Sequence, residues 1–318
     1  MLRHSWQRSM ISLARSARAK HFMQNGRAGS FLASRFVAGK TAEDGLARAV
    51  SLKSADGVAS SLFYLGEYVD SPTLVEENVT AIATIAKHLG SSGLEVHVSV
   101  DPTQIGLRIA ADLMRENARH LAGVVADAAG GRPGLNCLMF DMEDSAVVDE
   151  TIAIHDALRK AGRPVALTLQ AYLRRTADDL QRQIEQGGTV RLVRGAFAEG
   201  PALAFTAEAD IKASYRRLIE AMLSPEARRR GFRPIIATHD TTLQAFAIET
   251  ARRNGWQPGE YEFEMLLGVR FDVARTLSRR GEKVRLYVPF GRDWWPHAAR
   301  RIGESPRNAL LLARSLVQ

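Results

Sequence analysis

The feature that most constrains this chain is an eightfold alternation of short apolar runs with longer amphipathic segments. Runs fit for buried strands occupy Ser60–Leu65, Glu95–Val100, Asn136–Asp141, Val165–Gln170, Thr189–Val193, Arg233–Ala237, Tyr261–Leu266 and Val284–Val288. Between them lie helical patterns over Ser71–Leu89, Thr103–Ala128, Ser145–Ala161, Ala177–Gln186, Lys212–Leu223, Thr241–Asn254 and Val269–Arg279, and a last helix starts near Trp294. Strands that each feed a helix build a parallel sheet, and eight of them close it into a TIM-type (β/α)8 barrel, a member of the α/β class. A doubly wound sheet also alternates, but no Gly-x-Gly-x-x-Gly turn follows the first strand and no P-loop is present. One barrel needs about 250 residues. The 318 residues therefore divide into an N-terminal helical arm, 1–55, and a barrel, 56–318.

Charge is unevenly spread. The net charge is +8, and no acidic residue occurs before Glu43, while Arg3, Arg8, Arg15, Arg18, Lys20, Arg27, Arg35 and Lys40 are basic. Such an arm reads as a solvated helix, as a segment touching anionic lipid or nucleic acid, or as an Arg- and Ser-rich transit peptide. No run of about 18 uncharged apolar residues is present, which argues against a spanning helix but leaves peripheral membrane contact open. A nucleic-acid reader motif is missing, so no nucleic-acid partner is expected. The single cysteine, Cys137, sits in an apolar run and reads as a buried thiol. It excludes an intrachain disulfide and any Cys-based metal cluster, and suits a reducing cytoplasm.

A barrel of this type places its chemistry at the C-terminal ends of the strands. Polar residues gather there: Glu67 after the first strand, Asp101 after the second, Asp141 to Asp144 after the third, Gln170 on the fourth, Arg191 within and Arg194 after the fifth, Thr238 and His239 after the sixth. A ring of Arg, Gln, Thr and His suits phosphates and a heterocycle. Composition and spacing reach an enzyme or ligand-binding barrel and stop there.

At those positions the chain resembles the proline dehydrogenase family. The motifs are Tyr64-Leu65-Gly66-Glu67, Phe140-Asp141-Met142-Glu143-Asp144, Leu169-Gln170-Ala171-Tyr172, Arg191-Leu192-Val193-Arg194-Gly195-Ala196-Phe197, Ala237-Thr238-His239-Asp240, Glu262-Phe263-Glu264-Met265-Leu266 and Arg300-Arg301-Ile302-Gly303-Glu304. The resemblance implies a distorted barrel that binds FAD, oxidises L-proline to Δ1-pyrroline-5-carboxylate by hydride transfer to the flavin, and passes electrons to a quinone. It implies that Arg300 and Arg301 clamp the substrate carboxylate, which suits the guanidinium fork, with Glu304 and Glu67 holding the pair. It assigns Arg191 to the reactive edge of the flavin, where positive charge favours the anionic reduced form. Asp141 and Met142 fall beside flavin and substrate. Gln170, Arg194, Gly195 and Ala196 fall against the flavin, and Thr238 and His239 against the phosphates and adenine. Leu266 and Tyr287 fall against the proline ring.

The chain departs from the family pattern at two substrate positions. Asp101 stands where the family carries a lysine, and His297 where it carries a tyrosine. Arg194 and Phe197 replace a lysine and a tyrosine more conservatively. Three readings stay open: proline oxidation; the same fold and flavin acting on hydroxyproline or another cyclic or N-alkyl amino acid; and a barrel that binds its ligand without turnover.

Overall fold

The structure, a computed structural model, describes residues 35–66, 69, 71–295 and 297–298. Eight parallel strands close in chain order: β1 (Ala59–Tyr64), β2 (His97–Val100), β3 (Cys137–Phe140), β4 (Val165–Gln170), β5 (Thr189–Val193), β6 (Arg233–Ala237), β7 (Glu262–Leu266) and β8 (Val284–Phe290), with β8 pairing back onto β1. The expected fold is therefore present, and β4, β5 and β6 fall on the expected residues.

Around the sheet stand α1 (Ala42–Asp56), α2 (Pro72–Ser91), α3 (Ala111–Ala129), α4 (Val148–Lys160), α5 (Thr176–Glu185), α6 (Glu208–Met222), α7 (Pro225–Arg229), α8 (Thr241–Arg253) and α9 (Phe271–Arg279). α1 starts with a capping box. Thr41 Oγ1 accepts from Asp44 N at 3.3 Å and Asp44 Oδ2 accepts from Thr41 N at 3.0 Å, which satisfies two donors that a helix start otherwise leaves unpaired. The helix packs against β1, β8 and α2, so the last helix of the expected arm lies on the barrel wall. Residues 1–34 lie outside the described residues.

One helix starts later than its pattern suggests. The expected Thr103–Ala128 helix is Ala111–Ala129, preceded by turns. Gly106, at φ 116, breaks the helical run. Thr103 and Gln104 are held by distant partners: Thr103 N and Oγ1 donate to Glu143 at 2.9 and 2.7 Å, and Gln104 Nε2 donates to Tyr64 O at 2.6 Å. These bonds pin the loop after β2 onto the ends of β1 and β3.

Alternate residues of every strand point inward. A small apolar cluster of Leu135, Cys137, Met139, Ala166 and Ile235 fills one side of the interior. Much of the rest is polar, unlike the branched aliphatic layers common in such barrels. Its buried charges form two clusters, one at the floor, where strands begin, and one near the mouth, where they end.

Candidate active site

The mouth cluster is built on Arg191, in the middle of β5 and 4% exposed. Its guanidinium spans the barrel. Nη1 donates to Glu264 Oε1 of β7 at 2.9 Å, Nη2 donates to Asp141 Oδ1 just past β3, and Nε and Nη2 donate to Thr168 Oγ1 of β4 at 3.1 and 2.9 Å. Ser61 of β1 donates to Glu264 Oε1 at 2.7 Å, and Tyr287 of β8 donates to Asp141 Oδ2 at 2.7 Å. Arg191 lies 5.3 Å from the centroid of the Tyr287 ring, which stacks on Phe63 at 5.4 Å. Residues of five other strands thus join Arg191 in one network, and each sits on the inward parity of its strand.

Burial and charge shift the titrating groups. Burial pushes the Asp141 carboxyl above its ordinary range; Arg191 and the Tyr287 hydroxyl offset only part of this, and Glu264 adds to it. Burial, with Asp141 and Asp101 beside it, raises Tyr287 well above a normal phenol. Desolvation opposes the charge on Arg191, but Asp141 and Glu264 outweigh it, and the guanidinium stays charged. A fixed cation under the mouth, and above it a carboxyl whose pKa burial raises, are what the arrangement offers chemically.

The strand ends extend the site sideways. Gln170 is buried, with Nε2 donating to Glu143 O at 2.8 Å. Glu143, held by Thr103, is raised by burial. Met142 is buried beside it. Gly195 adopts φ 99, and a Cβ there would lie 2.1 Å from the Tyr172 ring, so only glycine lets the chain after β5 pass over Tyr172. The Arg194 guanidinium, half-exposed, pairs with Glu208 of α6 at 2.6 Å, and Ala196 is exposed. Thr238 Oγ1 accepts from Asp240 N at 3.1 Å. His239 Nε2 accepts from Leu266 N at 3.2 Å, which places the proton of the neutral ring on Nδ1. Leu266 and Asp101 are half-buried at the ends of β7 and β2. His297 is buried in the helical turn after β8. Glu67, Arg300, Arg301 and Glu304 lie outside the described residues.

The structure thus brings Asp141, Arg191 and Tyr287 into direct contact. It adds Glu264, Thr168 and Ser61, which sequence reasoning passed over. The signal for Glu264 was present: strand alternation puts Glu262 and Glu264 on one face of β7, and a strand-borne arginine needs a carboxylate partner. A groove of about 520 Å³ lies on the outer flank between α8 and α9, lined by Ile248, Arg252, Val273 and Leu277 among others. It contains none of the mouth-cluster residues.

A closed barrel with a buried cation bridged to two carboxylates below its C-terminal rim is of the TIM-barrel class, with a candidate active site at its mouth. The comparisons narrow it. The profile of the proline dehydrogenase family matches residues 46–309, through the positions of Arg300, Arg301 and Glu304. Proline dehydrogenase of Deinococcus radiodurans is 32% identical over 292 residues, 90% of each chain. Proline dehydrogenase 1 of Bacillus subtilis is 30% identical over 292 residues, 90% of this chain and 91% of that one. The chain belongs to the proline dehydrogenase family, and the protein is an oxidoreductase of that kind. Among solved structures, the fold matches proline utilization A of Bdellovibrio bacteriovorus (TM-score 0.76, 18% identity, 85% of this chain). It also matches proline utilization A of Corynebacterium freiburgense (TM-score 0.73, 20% identity, 99% of this chain). The chain spans about a third of those proteins' length, 32% and 35%, and at this identity they speak to fold alone.

Proposed function

We propose that the protein oxidises L-proline to Δ1-pyrroline-5-carboxylate with FAD as its cofactor and a quinone as the electron acceptor. The observation that carries this reading is the Asp141–Arg191–Glu264–Tyr287 cluster under the mouth of a barrel in this family. A flavin dinucleotide fits the donor set. Gln170, Arg191 and His239 lie on or just past three successive strands, β4 to β6, and suit the polar edge of a planar heterocycle. The buried Tyr172 ring packs against Gly195, whose missing Cβ leaves room for close approach of a planar group. When bound, the flavin supplies hydride acceptance. Arg194, Gly195, Ala196, Met142, Thr238 and His239 would hold the rest of it.

The protein's residues do the positioning. Arg300 and Arg301 receive the substrate carboxylate, supported by Glu304 and Glu67. Leu266, Tyr287 and His297 shape the space for the ring. Arg191 presents fixed positive charge where negative charge develops, and costs no reorganisation because five strands already hold it. Asp141 and Asp101 line the side where the amine must lie, and the amine reacts in its neutral form. The substrate gives up a hydride from C5 and the proton of its nitrogen, leaving the imine. The protein would act in the cytoplasm, with peripheral membrane contact to meet the quinone.

A second reading rests on His297. It stands at a position the family fills with a ring-packing tyrosine, and it favours a hydroxylated or bulkier cyclic amino acid. One anaerobic experiment separates the two: L-proline and trans-4-hydroxy-L-proline are each added to the purified flavoprotein and the flavin band is followed. Bleaching by proline at low concentration supports the first reading. Bleaching by hydroxyproline in preference supports the second, and no bleaching by either sinks both.

A further inference from the structure

The mouth cluster carries a feature that the family resemblance does not assign. One guanidinium faces two carboxylates, Asp141 and Glu264, and Glu264 is the deeper of the two, 2% exposed against 14%. Glu264 Oε1 takes both Arg191 Nη1 and Ser61 Oγ, while Oε2 is buried with no hydrogen-bond partner among the described residues. At the floor of the same barrel, two carboxylates face two cations and all four carboxylate oxygens are engaged. A buried carboxylate chosen for stability would look like the floor. Glu264 instead leaves one oxygen without a partner and makes, with Asp141, two carboxylates that share the single cation Arg191.

We propose that Glu264 is a positioning residue of the active site: it holds Arg191 across the barrel and offsets its charge, and so sets the reduction potential of the flavin below the value Arg191 and Asp141 alone would give. The argument is electrostatic. A cation at the reactive edge favours the reduced, anionic flavin. A carboxylate 2.9 Å behind that cation, in an interior that screens poorly, subtracts from its field. Asp141, raised first by burial and further by Glu264, fits the same picture. The neutral oxygen of a glutamine would still accept from Arg191 and Ser61, so geometry and charge can be separated.

The inference rests on flavin binding at this site, and its test needs no proline turnover. The midpoint potentials of wild type and Glu264→Gln are measured by reductive titration against a reference dye. The variant should favour reduced over oxidised flavin about tenfold more than wild type, an upward shift of about 30 mV for a two-electron couple. Glu262→Gln, at the floor, is the control: it should lower the unfolding temperature and leave the potential in place. An unchanged potential in Glu264→Gln, with only its unfolding temperature lowered, overturns the proposal. If that variant yields no folded flavoprotein, Ser61→Ala is titrated instead. Losing the hydroxyl that donates to Glu264 leaves more negative charge there, so a smaller downward shift supports the proposal and no shift overturns it. A wild type that binds no flavin would sink the proposed function itself, a result these titrations distinguish at the outset.

Discussion

The two buried charge clusters of this barrel are made of the same residue types and are built for different ends. At the floor, Arg285 donates to Glu262 at 2.8 and 3.2 Å, to Glu95 and to Ser60 O, while Lys283 reaches both Glu95 and Glu262 at 2.8 Å. Two cations meet two carboxylates. Burial works against the charge on Glu95, but Arg285 and Lys283 outweigh it and hold the carboxyl at about 2; Glu262 is likewise held down. At the mouth, one cation meets two carboxylates, and burial wins at Asp141. The floor is neutralised within itself. The mouth is left with charge to be completed by what binds there. Charge balance, rather than burial or residue type, separates the cluster that closes the barrel from the one that works.

Replacing the central cations tests this most severely. Arg285→Met leaves Glu95 and Glu262 buried around Lys283 alone. Breaking such a network costs about 3–5 kcal/mol, visible as a large fall in the urea midpoint or as failure to fold. Arg191→Met should cost less stability, because burial already inclines Asp141 toward its neutral form. Turnover with proline should fall about 10²–10³-fold, the scale of removing one preorganised charge. The comparison breaks if Arg191→Met proves as destabilising as Arg285→Met while sparing turnover.

Acid separates the clusters more finely. Glu95 titrates at about 2 in the folded protein, against an ordinary 4.5. A carboxyl whose folded pKa is depressed contributes stability that is fully present above its unfolded pKa. That stability is lost as pH falls through the folded value. The floor should therefore contribute up to about 3 kcal/mol above pH 5, declining between about 4.5 and 2. Glu95→Gln should flatten the wild-type loss of stability across that window in urea titrations at stepped pH. A variant curve parallel to wild type would mean that Glu95 is not held down.

The barrel was legible in the sequence because strands buried on both faces read as continuous apolar runs. β4, β5 and β6 could be bounded from the pattern alone. The start of α3 could not, because Thr103 and Gln104 are held by Glu143 and Tyr64, and no local signal reports a bond 40 residues away. The site was legible in the same uneven way. Asp141, Arg191 and Tyr287 emerged from motifs at strand ends. Glu264 shares its strand face with Glu262, and nothing in the alternation says that one meets Arg191 and the other Arg285; closure of the barrel decides that. The Arg194 guanidinium pairs with Glu208 of α6, a contact set by the path of the loop after β5 and not readable from the motif.

The gentlest test of the contrast is Asp141→Asn. Because burial raises the folded pKa of Asp141, its protonated form is the better fitted to the fold. Any stability it contributes is present below its unfolded pKa of 3.8 and lost as pH rises through the folded value. At neutral pH the ionised carboxylate is then a burden on the fold, and asparagine mimics the protonated form. It also keeps an acceptor for Tyr287 and Arg191. The variant should be more stable than wild type at pH 7, with the gain vanishing toward pH 3. Turnover should fall in the same protein, since an active-site carboxylate is commonly retained at a cost to stability. The same exchange at the floor, Glu262→Gln, should destabilise at pH 7, because there the charged form is the one the fold is built to hold. Opposite signs from one kind of substitution, at two sites in one barrel, are what the difference in charge balance requires. Equal signs would reduce the two clusters to one kind of structural ion network.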